Sequence, residues 1–246
     1  MLTSPKLPQN FEEVAHSPSV RSQILFVIDF DGTVAPEDTV DALLESFAHS
    51  EWRDVEEQWA RGVIDSRQCM ATQIGLLRPG QAAIEDFLKR VAIDPDFFEF
   101  IAHVREFADV AIVSDGLDYT IQHAVREVTP PIPVFANRLE FDSAGASLSF
   151  PYSDGACRVR SGVCKCAVAR SLDAGRGLTT ILIGDGQSDQ CVAGAVDYVF
   201  AKSSLRRYCE ERSIVYTPFE TFADVLSVVR RWSAQNSPFL RRQHVY

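Results

Sequence analysis

No stretch of the 246-residue chain approaches the ~20 consecutive apolar residues that a helix needs to cross a bilayer, so no membrane span is expected. Positive charge is scarce too: 24 Lys and Arg stand against 34 Asp and Glu, for a formal net charge of −10. With a pI near 5.0, that balance argues against a nucleic-acid partner; a phosphate substrate stays compatible, because local charge decides at a site. The six cysteines include no Cys-x-x-Cys pair, which argues against a four-ligand zinc centre. Residues 1–20 lack a basic segment followed by an apolar core, so no secretory leader is expected and the thiols are read as reduced. Their Pro and Ser content reads as a poorly ordered lead. Internal repeats are lacking as well. These absences agree with a compact soluble protein, expected in the cytoplasm.

An apolar fraction of 46% is enough for a substantial core, as one large domain or a core with a subdomain. Residues 24–29 read as a buried strand, 110–113 and 179–183 as further short strands, and 132–135 as another. Residues 138–141 and 146–150 read as a hairpin, 198–200 and 214–216 as short strands, and 219–232 as a closing amphipathic helix. Helical spacing runs through 38–48, 51–60, 66–77 and 81–90, with breaks near Gly62 and Pro79-Gly80. A wholly helical block of this length is too long for an ordinary connection. It is expected to form a separate subdomain.

The richest segment is Asp29-Phe30-Asp31-Gly32-Thr33, at the end of the first strand. Side chains alternate along a strand, so the two carboxylates leave it on one side and Phe30 on the other. Gly32 then permits a sharp turn. Such close carboxylates repel one another unless a cation or a shared proton intervenes, and a hard divalent metal suits the oxygen-rich corner. One Asp can attack an electrophile while its neighbour delivers a proton to the leaving group. Alone, the segment is equally a strand end with a solvated turn.

Two more strand ends carry small, polar or acidic residues: Ser114-Asp115-Gly116 and Gly184-Asp185-Gly186-Gln187-Ser188-Asp189. Between them, Lys165 falls in a stretch, 161–171, of moderate helical character. Parallel α/β sheets bind ligands outside the carboxyl ends of their strands, at a topological switch point. Ser114 or Asp115 also suits the N-cap of a helix over 117–125, Asp38 and Asp41 suit the first turn of theirs, and Asp118 reads as a solvated first-turn residue. Trp52 and Trp59 read as packing residues, and Cys157, Cys164 and Cys166 as reduced thiols.

In order and chemistry these segments resemble the four motifs of the haloacid dehalogenase-like (HAD) phosphohydrolases, over roughly residues 24–229. The resemblance implies an α/β fold: a doubly wound parallel, Rossmann-like core (residues 21–36 and 94–246), an inserted all-helical cap (37–93) and a small β-hairpin. It implies Asp29 as the nucleophile, Asp31 as the general acid and base, and Ser114 and Lys165 as holders of the phosphoryl oxygens. Backbone N–H groups at Phe30, Asp31 and Asp115 would add donors. The implied cofactor is Mg²⁺, held by Asp29, the Asp31 carbonyl and Asp185, with Asp189 steadying the set.

The cap position resembles that of the phosphoserine-phosphatase-like branch. Asp38, or Glu37 beside it, stands where that branch has an acidic substrate-binding residue, and Gln73 where it has an arginine suited to a carboxylate. A neutral amide cannot replace a guanidinium fork there. Secondary features include Asp38-Thr39-Val40-Asp41, Glu57-x-Trp59-x-x-Gly62 and Ala136-Asn137. They resemble family members acting on a small keto-enol phosphate whose organic part is uncharged.

Overall fold

Every residue of β1 (Ile24–Ile28) is buried, because the strand runs through the middle of a sheet with helices on both faces. The computed structural model describes residues 23–78, 81–142, 145–157 and 159–234. The lead expected over residues 1–20 lies outside them, as do Pro79, Gly80, Ser143, Ala144 and residues 235–246.

In chain order the elements are β1, α1 (Thr39–Phe47), α2 (Trp52–Ala60), α3 (Ser66–Gly75), α4 (Gln81–Leu88), α5 (Phe97–Val104), β2 (Asp109–Leu117) and α6 (Asp118–Ala124). There follow β3 (Val134–Asp142), β4 (Gly145–Ser149), α7 (Lys165–Asp173), β5 (Thr179–Gly184), α8 (Gln190–Ala193), β6 (Tyr198–Ala201), α9 (Ser203–Arg212), β7 (Thr217–Pro218) and α10 (Phe222–Ala234). The seven strands lie in the order β4-β3-β2-β1-β5-β6-β7, parallel except for β3 with β4. The α/β, doubly wound expectation therefore holds.

Alternation along β1 feeds two core layers. Ile24, Phe26 and Ile28 join Phe97 and Phe100 of α5, Ile121 of α6 and Phe222 and Val225 of α10. Leu25 and Val27 join Val168 and Leu172 of α7, Val192 of α8 and Leu205 of α9. The chain winds outward from β1 through β2 and β3, then restarts on the other flank with β5. Its switch point therefore falls at the end of β1, between the ends of β2 and β5.

The helical block α1–α4 has its own apolar centre. Leu43, Leu44, Trp52, Ile74, Leu77 and Phe87 pack there against Leu117 and Leu139 of the sheet side. Asp38 caps α1 by accepting the N–H groups of Val40 and Asp41, and Asp65 forms a capping box with Gln68 at α3. Backbone bonds from His49 to Leu76 and from Arg78 to Phe47 tie the ends of α1 and α3 together. No described helix is long and apolar enough to cross a membrane.

Several sequence expectations need correction. β2 does not stop at Val113: its pairing with β3 shifts register and resumes at Leu117–Asn137, so Ser114-Asp115-Gly116 lies within an irregular strand. Neither Ser114 nor Asp115 caps α6, whose N-cap is Leu117 with no side-chain bond. Asp118 is not merely solvated, since its Oδ1 accepts the N–H groups of Tyr119 and Leu139 and fastens α6 to β3. Residues 132–135 and 138–141 are not separate strands. One strand, β3, pairs with β2 in its first half and with β4 in its second. The strand expected at 214–216 is displaced to β7, because Ser213 turns left-handed (φ 55°) and Ile214 N–H closes back on Cys209 O.

Candidate active site

The ends of β1, β2 and β5 open on one cleft of about 340 Å³. Asp29, Asp31, Ser114, Asp115 and Asp185 line it, with Asp38, Asp41, Glu56, Trp59, Met70 and Gln73 on the wall facing them.

Asp29 extends the β1–β5 pairing through its N–H to Ile183 O, which holds its side chain at the sheet's end. Its Oδ1 accepts the Phe30 N–H at 2.8 Å and lies 2.7 Å from Lys165 Nζ. Phe30 lies between the two carboxylates of the segment. Its N–H goes to Asp29 and its ring is buried in the core. Lys165, the first residue of α7, is wholly buried and also contacts Asp189 Oδ1 at 2.6 Å. Burial works against its charge, but Asp189 and Asp29 outweigh that and raise its pKa. The Asp189 Oδ2 atom accepts the N–H groups of Asp185 and Gly186, both at 3.1 Å, so both oxygens of this carboxylate have partners.

Burial, with Asp189 next to it, pushes the Asp29 pKa well up although Lys165 draws it down. Burial and Asp189 raise Asp185 to about 6. Oxygens of Asp29, Asp185 and Asp189 lie within 4.8 Å of one another, and Lys165 contacts two of the three carboxylates. An oxygen-only, strongly anionic set of this kind fits a hard divalent cation. Thr33 Oγ1 donates to Asp185 Oδ1 at 3.4 Å. Gly32 (φ 74°) passes so close that a Cβ would fall 2.5 Å from Asp185 Oδ2.

Asp31 leans away from this cluster. Its Oδ1 accepts the Thr39 N–H at 2.8 Å and the Thr39 hydroxyl at 2.6 Å, while Oδ2 is buried with no partner. Burial and then Asp38 raise its pKa to about 7. Ser114 is buried, and its Oγ accepts the Gly116 N–H at 3.0 Å. Asp115 Oδ1 accepts the N–H of Val163 at 2.8 Å and lies 3.3 Å from Asn137 Nδ2. That amide also donates to Asp115 O at 2.6 Å. The Asp115 side chain therefore joins β2, β3 and the approach to Lys165, and Ser66 of α3 reaches its Oδ2 at 3.5 Å.

Across the cleft, the Asp38 side chain caps α1 while also lining the cavity. Gln73 lines it too, but its Nε2 donates to Glu56 Oε2 at 2.8 Å and is not free for a ligand. Trp52 is core, as expected, whereas Trp59 lines the cavity. No Lys or Arg is among the described lining residues. The sequence did not single out Thr39, Glu56 or Asn137 as site residues; only the acidic N-terminal turn of α1 and the Ala136-Asn137 pair drew notice.

Sheet and site together define an α/β enzyme built around an aspartate-bearing strand end at the switch point. The chain belongs to the haloacid dehalogenase-like hydrolases, whose family model matches residues 26–194. It is 33% identical to 2-hydroxy-3-keto-5-methylthiopentenyl-1-phosphate phosphatase of Exiguobacterium sibiricum, over 82% of this chain and 94% of that protein. To the protein of the same name from Geobacillus kaustophilus it is 30% identical, over 85% and 96%. Its fold is similar to that of a phosphoserine phosphatase holding a phospho-aspartyl intermediate analogue, with a TM-score of 0.63 at 19% identity over 85% of this chain and 99% of that one. The family is one of hydrolases, and both of these relatives are named phosphatases.

Proposed function

We propose that this chain is a Mg²⁺-dependent phosphomonoesterase that hydrolyses a small organic phosphate through an aspartyl-phosphate on Asp29. The observation that carries this reading is the convergence of Asp29, Asp31, Ser114, Lys165 and Asp185 at one end of the sheet. Asp29 attacks phosphorus, and the departing alkoxide takes the proton of Asp31 Oδ2, the oxygen Thr39 leaves free. Water then attacks the same phosphorus, Asp31 receives its proton, and Asp29 is released with inorganic phosphate. A carboxyl poised near 7 suits both directions of proton transfer. Ser114 and Lys165 stabilise charge on the equatorial phosphoryl oxygens.

Asp29, Asp185 and the Asp31 carbonyl would hold Mg²⁺, with Asp189 bracing Lys165 and the Asp185–Gly186 backbone from behind. When bound, the ion supplies positive charge against the approaching phosphate. Residues 37–93 act as a cap over the core formed by 21–36 and 94–246, excluding water during chemistry. For the substrate, the keto-enol phosphate named by the curated relatives is favoured. A wall with Asp38, Asp41 and Glu56 and no described cation repels a carboxylate-bearing leaving group such as that of phosphoserine.

Hydrolysis of para-nitrophenyl phosphate, with Mg²⁺ and with EDTA, tests the activity, and a panel of phosphorylated metabolites tests the substrate. Asp29→Asn is expected to fold normally and to lose turnover; appreciable residual rate rejects the covalent role.

A further inference from the structure

Beside the acidic centre the fold brings together two thiols that the phosphatase chemistry does not use. Cys166 is the second residue of α7 and Cys191 the second of α8, yet their Sγ atoms lie 3.2 Å apart. Both are half-buried. The other described thiols have different surroundings. Cys69 is buried within the helical block, 3.7 Å from Glu56 Oε2. Cys209 is buried on α9, and Cys157 lies 3.4 Å from Ser161 Oγ and beside the thiol of Cys164. Among the described residues no group of three or more metal-ligating side chains includes a cysteine.

We propose that Cys166 and Cys191 form a peroxide-reactive dithiol that closes to a disulfide and thereby shifts the groups beside it, Lys165 and Asp189. The Cys166 thiolate attacks one oxygen of a hydroperoxide, the O–O bond breaks, and the second oxygen leaves with a proton as water or an alcohol. Cys191 then attacks the resulting sulfenic sulfur: the S–S bond forms, the S–O bond breaks, and the Cys191 proton leaves with that oxygen as water. Two electrons pass from the thiols to the peroxide. Cys166 is the better first nucleophile, because it lies in the first turn of a helix with Arg170 one turn on. Contact with Cys191 lowers its pKa against the opposing effect of burial.

Bond formation draws the sulfurs from 3.2 Å to the ~2.05 Å of a disulfide. Lys165 immediately precedes one thiol and Asp189 lies two residues before the other, so the strain falls on the Lys165–Asp189 pair. A misplacement of about 1 Å at catalytic groups is enough to cost ~10²-fold in rate. That consequence rests on the proposed phosphatase reading, whereas the crosslink itself does not.

The experiment treats the reduced full chain with limiting hydrogen peroxide, maps its peptides after alkylation, and follows para-nitrophenyl phosphate hydrolysis in parallel. The expected result is a Cys166–Cys191 crosslink with two hydrogens lost and no oxygen gained. Turnover is expected to fall at least ~10-fold and to return with dithiothreitol. Cys166→Ser and Cys191→Ser are expected to keep the parent's rate and to resist inactivation. Oxygen addition without that crosslink, or equal inactivation of both variants, overturns the proposal. A crosslink that leaves turnover unchanged overturns its coupling to the site. If the reduced chain hydrolyses nothing, the phosphatase reading fails while the peptide map still decides the dithiol.

Discussion

Thr39 donates both its backbone N–H and its hydroxyl to a single oxygen of Asp31, at 2.8 and 2.6 Å, and so leaves the other carboxylate oxygen buried and unpaired. A residue outside the first motif therefore decides which oxygen of Asp31 can exchange a proton. Thr39→Val keeps the shape and the N–H bond while deleting the hydroxyl. A hydrogen bond to a charged group contributes about 1.5–3 kcal/mol, so steady-state kinetics should show kcat down ~10- to 100-fold with KM nearly unchanged. A rise in KM at constant kcat would instead place Thr39 in substrate binding.

Gly116 gives Asp31 its room. A Cβ at this position would fall 2.2 Å from Asp31 Oδ2 and 3.2 Å from Ser114 Oγ. Asp31 is pinned by Thr39 and cannot simply swing aside. Gly116→Ala is expected to lower kcat by ~10²-fold or more, with a circular dichroism spectrum like the parent's. Full activity in this variant would show that the proton-exchanging oxygen points elsewhere.

Lys165 is the buried cation between Asp29 and Asp189. Lys165→Met fills similar space but leaves those carboxylates uncompensated. Removing one partner of a buried pair typically costs about 3–5 kcal/mol. Urea unfolding of the metal-free variant should show a loss of that order alongside lost turnover, and an unchanged midpoint would contradict the burial of this charge.

Asp185, raised to about 6, Asp31, raised to about 7, and Asp29, also raised, bind protons more tightly folded than unfolded. For carboxyls shifted upward, stability is greatest below the ordinary carboxyl range and declines as pH rises through the folded values. In EDTA, the melting temperature should therefore fall between about pH 4 and pH 7. Mg²⁺ should restore more of it at pH 8 than at pH 5, since the ion binds the deprotonated set. Thermal melts across that range, with and without Mg²⁺, check the sign; equal stabilisation at both pH values would count against the acidic cluster as the ion's site.

Gln73 is held by Glu56, so an arginine in its place would pair with that carboxylate and not with a ligand. Gln73→Arg is accordingly expected to gain no activity on phosphoserine. A substantial gain, measured as kcat/KM on that substrate, would show that the wall can be turned toward carboxylates.

Much of this architecture was readable along the chain. β1 could be recognised because a fully buried central strand is an unbroken apolar run, and its acidic end because two further strand ends carry small, polar or acidic residues as well. Helix α1 announced itself through Asp38, whose side chain does cap it. The continuous β3 was harder, since its two halves pair with different neighbours in opposite senses and no local pattern records that change. Gln73 occupied the right wall for the wrong reason: spacing put it at the cleft, but Glu56, on a different helix, took its amide.

Order and residue type along the chain determined most strands and helices, the helical block and the acidic strand ends, because alternation, helical spacing and breaker residues are local properties. Tertiary structure alone decided which oxygens stay free: Thr39 on Asp31, Asn137 and Val163 on Asp115, Asp189 on Lys165, and one thiol beside another. Those pairings join separate elements, up to 48 residues apart for Asp115 and Val163. Their partners are chosen by how helices pack on the two faces of the sheet, and a linear pattern does not encode that choice.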